Sequence, residues 1–162
     1  MSRLDSLIRR LRAQHACLAH AAELMGHRSG PILEVGLGNG RTYDHVRELF
    51  PGRQIIVFEQ FAPHDPMIGP AGDDLILGDI RDTLPAVAVR LRARVPLIHS
   101  DIGSGDRALN ARLADFLAQH LPGLLVPGGV LVSDLALPGL DAMALNLPPG
   151  VSPGRYFLYR RR

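Results

Sequence analysis

Glu34-Val35-Gly36-Leu37-Gly38-Asn39-Gly40 carries the most specific chemical signal in the chain. Glycine tolerates positive φ and lets a ligand approach the backbone closely. Three glycines at alternate positions are more than a simple tight turn requires. Acids recur further on, at Glu59, Asp79, Asp101 and Asp134. A carboxylate can accept both hydroxyls of a ribose in a charge-assisted pair. His99 stands just before Ser100-Asp101, and an imidazole has the ordinary pKa closest to neutrality. Asp106 belongs to the same cluster, and Tyr43, His45 and His64 are further candidates, from loops and helix starts.

These residues share a position only if the elements before them are strands. Ile32–Val35, Ile55–Phe58, Leu75–Leu77, Val95–His99 and Val130–Val132 are short apolar runs of the kind that fill a buried parallel sheet. Helical patterns alternate with them. Ser2 is an N-cap with Asp5 three residues on, and Leu4, Leu7, Ile8, Leu11 and Leu18 form one stripe, read as core packing. That helix ends near Gly26. Further helices are expected over 42–50, over 81–94 with Pro85 in the first turn, and over 104–121. Residues 62–74 are rich in Pro, Gly and Asp and read as a loop. The tail offers a weak strand at 142–145 and a better one at Tyr156–Tyr159. Alternating strands and helices imply a parallel sheet with helices on both faces. In such sheets ligands bind beyond the carboxyl ends of the strands, where the glycines and acids fall.

Composition sets outer limits. At 162 residues the chain fits one domain, with residues 1–28 an N-terminal helix packing on or covering the core. Apolar residues make up 46% and charged residues 21%, ordinary globular usage. Net charge is +2, all of the basic residues being Arg, so nucleic acid is not expected as a partner. Arg160–Arg162 reads as a solvated end. Cys17 is the single cysteine, so no internal disulfide can form. The N-terminus lacks a signal-peptide core and no run suits a membrane span, so the expected location is the cytoplasm.

The glycine run resembles motif I of the class I S-adenosylmethionine (SAM) methyltransferases, E/D-x-G-x-G-x-G. A dinucleotide fingerprint, G-x-G-x-x-G/A, would need a small residue where Arg41 stands. The resemblance implies a Rossmann-like α/β fold: a mostly parallel seven-stranded sheet, helices on both faces and an antiparallel C-terminal edge strand. It also implies SAM as cofactor. Gly36, Leu37, Gly38, Asn39, Gly40 and Thr42 would lie under its methionine part, with Glu34 supporting the loop or the amino group. Glu59, with Gln60, would hold the ribose. Gly78, Asp79 and Ile80 would meet the adenine, and Ser100 and Asp101 would line the cofactor. Val126-Pro127-Gly128-Gly129 resembles the family's structural turn before strand five. Finer phrases (GLGNGRTYDH, LILGDI, DIGSGD, PGRYFLY) resemble a group of short bacterial SAM methyltransferases, which carries no acceptor over to this chain.

Methyl transfer needs alignment of the nucleophile and desolvation of the donor, and a base only if the acceptor loses a proton. Asp101 and His99 are the catalytic candidates. Asp101-Ile102-Gly103-Ser104 lacks the Pro-Pro-aromatic platform of base and amide methyltransferases, so a small-molecule acceptor is expected. A Mg²⁺-assisted catechol-type O-methyltransferase is one alternative, with Asp101 and Asp134 as ligands. Leu135 replaces the family's Asn, leaving that triad incomplete, and no metal is expected. A non-catalytic SAM- or nucleotide-binding module and an NAD-dependent oxidoreductase are the others. The minimal chain carries few insertions to cover a substrate, so the N-terminal helix or a homo-oligomer would form the lid.

Overall fold

The computed structural model describes residues 2–162. Six strands form one sheet: β1 (Ile32–Val35), β2 (Ile55–Glu59), β3 (Leu75–Leu77), β4 (Val95–Ser100), β5 (Leu125–Ser133) and β6 (Phe157–Arg160). Their order is β3-β2-β1-β4-β5-β6, and only β6 runs antiparallel, against β5. The chain steps outward from β1 to β3, then returns to the other side of β1 with β4. The strand order therefore reverses between β1 and β4, where the carboxyl ends of the two strands part into a crevice.

Four α-helices cover the faces: α1 (Arg3–Met25), α2 (Arg41–Leu49), α3 (Ile80–Leu91) and α4 (Arg107–His120). Strand residues alternate between the two faces. Leu33, Val35, Phe58, Ile98 and Leu131 pack on the α3/α4 side with Leu84, Leu113 and Leu117. Ile32, Val57, Leu97 and Val132 pack on the α1/α2 side with Cys17, Leu18 and Val46. Each such Leu, Ile or Phe, fully buried, contributes about 1.5–3 kcal/mol of transfer free energy. Alternation places Glu34 and His99, with Ile32 and Leu97, on the α1/α2 face.

Three expectations need correction. The seventh strand is missing: residues 141–143 form a single 3-10 turn, and Ala144 makes only an isolated bridge to Tyr159. Pro138, Gly139, Pro148 and Pro149 punctuate this stretch, and proline cannot donate to a ladder. Pro85 lies in the second turn of α3, because Asp79 caps the helix and starts it at Ile80. The apolar stripe of α1 is core only in part. Leu18 is fully buried, but Leu4 is 64% and Leu7 44% exposed, and Ile8 and Leu11 are also exposed. Burial along α1 begins at Ala13. The first three turns, started by the reciprocal Ser2–Asp5 capping box, lie beyond the carboxyl ends of β1 and β4, where Leu7, Arg10 and Leu11 border the same hollow as Gly36 and Asp101. Among the described residues, no helix is long and apolar enough to cross a membrane.

Candidate functional site

β1 ends in the glycine loop, and Gly36 stays in ladder with β2, its N–H donating to the Phe58 carbonyl at 2.9 Å. Gly36, Gly38 and Gly40 have φ of +95°, +51° and +73°. A Cβ on Gly36 would stand 2.7 Å from the Asp101 carbonyl oxygen, and one on Gly40 would stand 2.6 Å from the Ile68 side chain. Those glycines are required by packing. A Cβ on Gly38 would meet no atom within 4 Å, so that position faces open space. Leu37 turns its side chain inward, where it is 3% exposed. Its N–H and that of Gly38 donate to Glu59 Oε2 at 2.7 and 2.9 Å. The Gln60 N–H donates to Glu59 Oε1 at 2.7 Å. Glu59 thus fixes the loop from the next strand while one edge of its carboxylate remains at the cavity.

Two cavities flank the loop. One, of about 340 Å³, is bordered by Phe58, Glu59, Gln60, Gly78, Asp79 and Ile80, with Leu109 and Leu113 opposite. The other, of about 210 Å³, lies under α1 and is bordered by Leu7, Arg10, Leu11, Gln14, Asn39, Arg41 and Thr42. Gly36, Gly38 and Asp101 border both. A hollow of about 680 Å³ lies around Gly30, Gln54 and Arg94, at the amino ends of the strands. Size does not favour it, because open parallel sheets bind ligands at the carboxyl ends. The two smaller cavities can hold an elongated molecule with an apolar planar end on the Ile80 side and a charged end on the Arg10 side.

Asp101 follows β4, its N–H donating to the Val35 carbonyl at 2.9 Å. Both carboxylate oxygens take donors from α1: Arg10 Nη2 on Oδ1 and Gln14 Nε2 on Oδ2, each at 2.5 Å. Asp134, at the end of β5, accepts from the Gly103 N–H at 2.8 Å. Burial first, and then the charge of Asp101, push Asp134 up to about 7, against the Gly103 hydrogen bond that favours its ionised form. Its ordinary value is 3.8, so between about pH 4 and 7 this carboxyl is more protonated in the folded chain than in the unfolded one, and on its account alone stability changes with pH. Stability therefore falls as pH rises through that window. We expect melting temperatures to decline across it, and Asp134→Asn to flatten the slope.

Glu34 and His99 sit directly opposite each other in the β1–β4 register. Both are fully buried, and His99 Nδ1 lies 2.9 Å from Glu34 Oε2. Thr42, in the first turn of α2, donates its hydroxyl to Glu34 Oε1. Burial disfavours a charged His99, but the Glu34 carboxylate, assisted by Asp101 and Asp134, outweighs it and raises the imidazole pKa. The ring stacks on Tyr156, centroids 6.1 Å apart. His99 Nε2, Ser100 Oγ, Asp134 Oδ1 and the Tyr156 hydroxyl are buried without a hydrogen-bond partner. His99 and Ser100 border neither cavity; they form the floor beneath Asp101.

Asp79 caps α3 and holds Arg81 through two bonds, at 2.9 and 2.5 Å, which lower its pKa to about 2. Asp106 caps α4, so that helix starts at Arg107, three residues later than expected. Tyr43 is buried core, His45 stacks on His15, and His64 is exposed. Sequence reasoning missed Arg10 and Gln14. Their i, i+4 spacing put them on one helix face, but nothing local tied that face to Asp101.

The reversed strand order, the antiparallel edge and the glycine loop between two cavities define a class I, Rossmann-like methyltransferase fold. The chain belongs to the S-adenosyl-L-methionine methyltransferase family, whose model matches residues 1–161. It is 44% identical to the S-adenosyl-L-methionine methyltransferase from Silicibacter pomeroyi DSS-3, covering 100% of this chain and 99% of that one, with a TM-score of 0.89. Two distant structures share the fold. Human methyltransferase-like protein 13 in complex with S-adenosylhomocysteine is 20% identical (TM-score 0.57, 98% of this chain and 81% of that one). A probable spermidine synthase from Corynebacterium glutamicum ATCC 13032 is 17% identical (TM-score 0.59, 92% and 63%). A search of curated proteins finds no match. SAM is therefore the cofactor.

Glu59 holds the glycine loop through the Leu37 and Gly38 amides, and the resemblance to the family gives it a further expected role on the ribose of SAM. Glu59→Ala should weaken S-adenosylhomocysteine binding by at least the roughly 1.5–3 kcal/mol of a lost charged hydrogen bond. Isothermal titration of the folded variant measures this. Unchanged affinity would reject the role.

Proposed function

We propose that this methyltransferase acts on a small-molecule acceptor. In this reading the adenosine lies in the larger cavity and the amino-acid end of SAM under α1. One observation carries it: the glycine loop, fixed by Glu59, separates two cavities that meet at Gly38 and Asp101. Glu59 and Gln60 bind the ribose, and Ile80 packs against the adenine beside Gly78 and Asp79. Gly36, Leu37, Gly38, Asn39 and Gly40 supply backbone to the methionine part, with Thr42 and Ser100 behind them.

When bound, SAM supplies a sulfonium methyl that a nucleophile displaces in line. The chain's contribution is orientation and exclusion of water. α1 roofs the smaller cavity with Leu7 and Leu11. Asp101 accepts a proton where the acceptor must lose one. His99, held below by Glu34, acts as a positioning residue for the β4 end rather than as the base. A Mg²⁺-assisted reaction does not suit these residues. The Arg10 guanidinium already neutralises Asp101, and Leu135 offers no oxygen where the catechol-type site needs one.

The test is methyl transfer from SAM labelled in its methyl group to a fractionated cell extract. Label is expected in the small-molecule fraction and not in protein or nucleic acid. Label confined to macromolecules would refute the acceptor class, and no transfer at all would favour a non-catalytic binding module.

A further inference from the structure

The ends of β4 and β5 bring two acids side by side. Asp101 and Asp134 each stand one step beyond the Ser100–Ser133 pair, and Tyr156 stands one step before Phe157, the partner of Ser133 on β6. Alternation puts this row on the face that α1 covers, where Tyr156 packs with Val132. Asp101 has a donor on each oxygen, from Arg10 and Gln14. Asp134 has not. Its Oδ2 accepts from the Gly103 N–H, but its Oδ1 is buried without a hydrogen-bond partner. An ionised oxygen in that position, beside a second carboxylate, is costly. A proton on Oδ1 removes the charge and turns the orphaned acceptor into a donor. The other groups facing the pair do not relieve it. Arg10 is engaged on Asp101, and His99 below has its own carboxylate in Glu34. Burial and the two acids keep the Tyr156 hydroxyl protonated. The same burial and the Asp101 charge raise Asp134.

We propose that Asp101 and Asp134 hold one proton between them in the free chain and release it when a cation arrives where the two cavities meet. Asp101 borders both cavities, so in the reading above the sulfonium charge falls beside it. A positive charge there favours the fully ionised pair. Once the sulfonium has become a neutral thioether, that attraction is gone and the pair takes a proton back. The acceptor supplies it. Its lone pair forms the bond to the methyl carbon, the C–S bonding pair stays on sulfur, and its proton passes to Asp101 and from there to Asp134. Asp134 touches neither cofactor nor acceptor; it acts through Asp101, as a positioning residue for the proton. The pair thereby tells SAM from its demethylated product by charge alone. The proposal rests on SAM occupying the two cavities and on Asp101 as the group that takes the acceptor's proton.

The experiment counts protons and needs no acceptor. Isothermal titration is run at about pH 6.5 in buffers of different ionisation enthalpy, once with SAM and once with S-adenosylhomocysteine. SAM is expected to release about half a proton or more from the unmodified chain, and S-adenosylhomocysteine less than about a fifth of one. SAM affinity should rise severalfold between about pH 5.5 and 7.5, while that of S-adenosylhomocysteine stays nearly level. In Asp134→Asn, shown to be folded by circular dichroism, SAM should release less than about a fifth of a proton and its affinity should lose the rise. If that variant does not fold, the contrast between the two ligands on the unmodified chain decides alone. Equal proton release with both ligands, or release with SAM that survives in folded Asp134→Asn, overturns the proposal. Failure of the folded, unmodified chain to bind either ligand would instead overturn the placement of SAM on which it rests.

Discussion

Gly38→Val should leave the chain folded and reduce S-adenosylhomocysteine binding at least a hundredfold. The two halves of this expectation come from one observation. A Cβ at residue 38 meets nothing within 4 Å, so a side chain can leave the backbone there without striking the protein. Its cost is backbone strain at φ +51°, about 1–3 kcal/mol for a side chain held in the left-handed region. A domain stable by roughly 5–15 kcal/mol survives that. The space the valine fills, however, is where the two cavities meet, beside Asp101. Circular dichroism checks the fold and isothermal titration the affinity. Affinity within tenfold of the unmodified chain would place the ligand elsewhere.

The largest effect on stability should come from Glu34→Ala. Removing this carboxylate leaves His99 buried without its charge partner and Thr42 without its acceptor. Breaking one side of a buried ion pair costs about 3–5 kcal/mol. Replacing both partners, Glu34→Leu with His99→Leu, should cost less than the single change, because no uncompensated group remains. The pair also has a pH signature. Its contribution is fully present below the ordinary histidine pKa near 6.5. It declines as pH climbs through the raised value of the folded state. Urea unfolding at several pH values measures each of these effects. A Glu34→Ala midpoint equal to that of the unmodified chain would show that the pair does not hold the β1–β4 junction.

How much of this could be read from the chain alone follows from sequence distance. The glycine loop, the N-cap at Ser2 and the first four parallel strands rest on neighbours within a few residues, and the structure has them where local pattern put them, to within a residue. β5 starts at Leu125 rather than Val130, because Leu125 pairs with Val95 and the Pro127-Gly128-Gly129 turn expected before the strand lies inside it. The edge strand β6 formed one residue from its expected start, since Phe157–Tyr159 alternate correctly against β5. The stripe of α1 misled, because periodicity shows that a face is apolar and not how far the supporting sheet extends. Leu4, Leu7, Ile8 and Leu11 fit the pattern of Leu18 but have no strand beneath them. Glu59 was legible as a functional acid, but its grip on the Leu37 and Gly38 amides was not. Arg10 and Gln14 reach Asp101 across 91 and 87 residues, a juxtaposition that only the folded chain creates.

The most direct trial is equilibrium dialysis of the purified chain against radiolabelled S-adenosylhomocysteine, with NAD as competitor. Saturable one-site binding, undisturbed by excess NAD, is the result expected from a loop that ends in Gly40-Arg41 and not in a small residue suited to a dinucleotide. A folded chain that retained no label at millimolar ligand, or surrendered it to NAD, would contradict the assignment of the glycine loop to an adenosyl sulfonium.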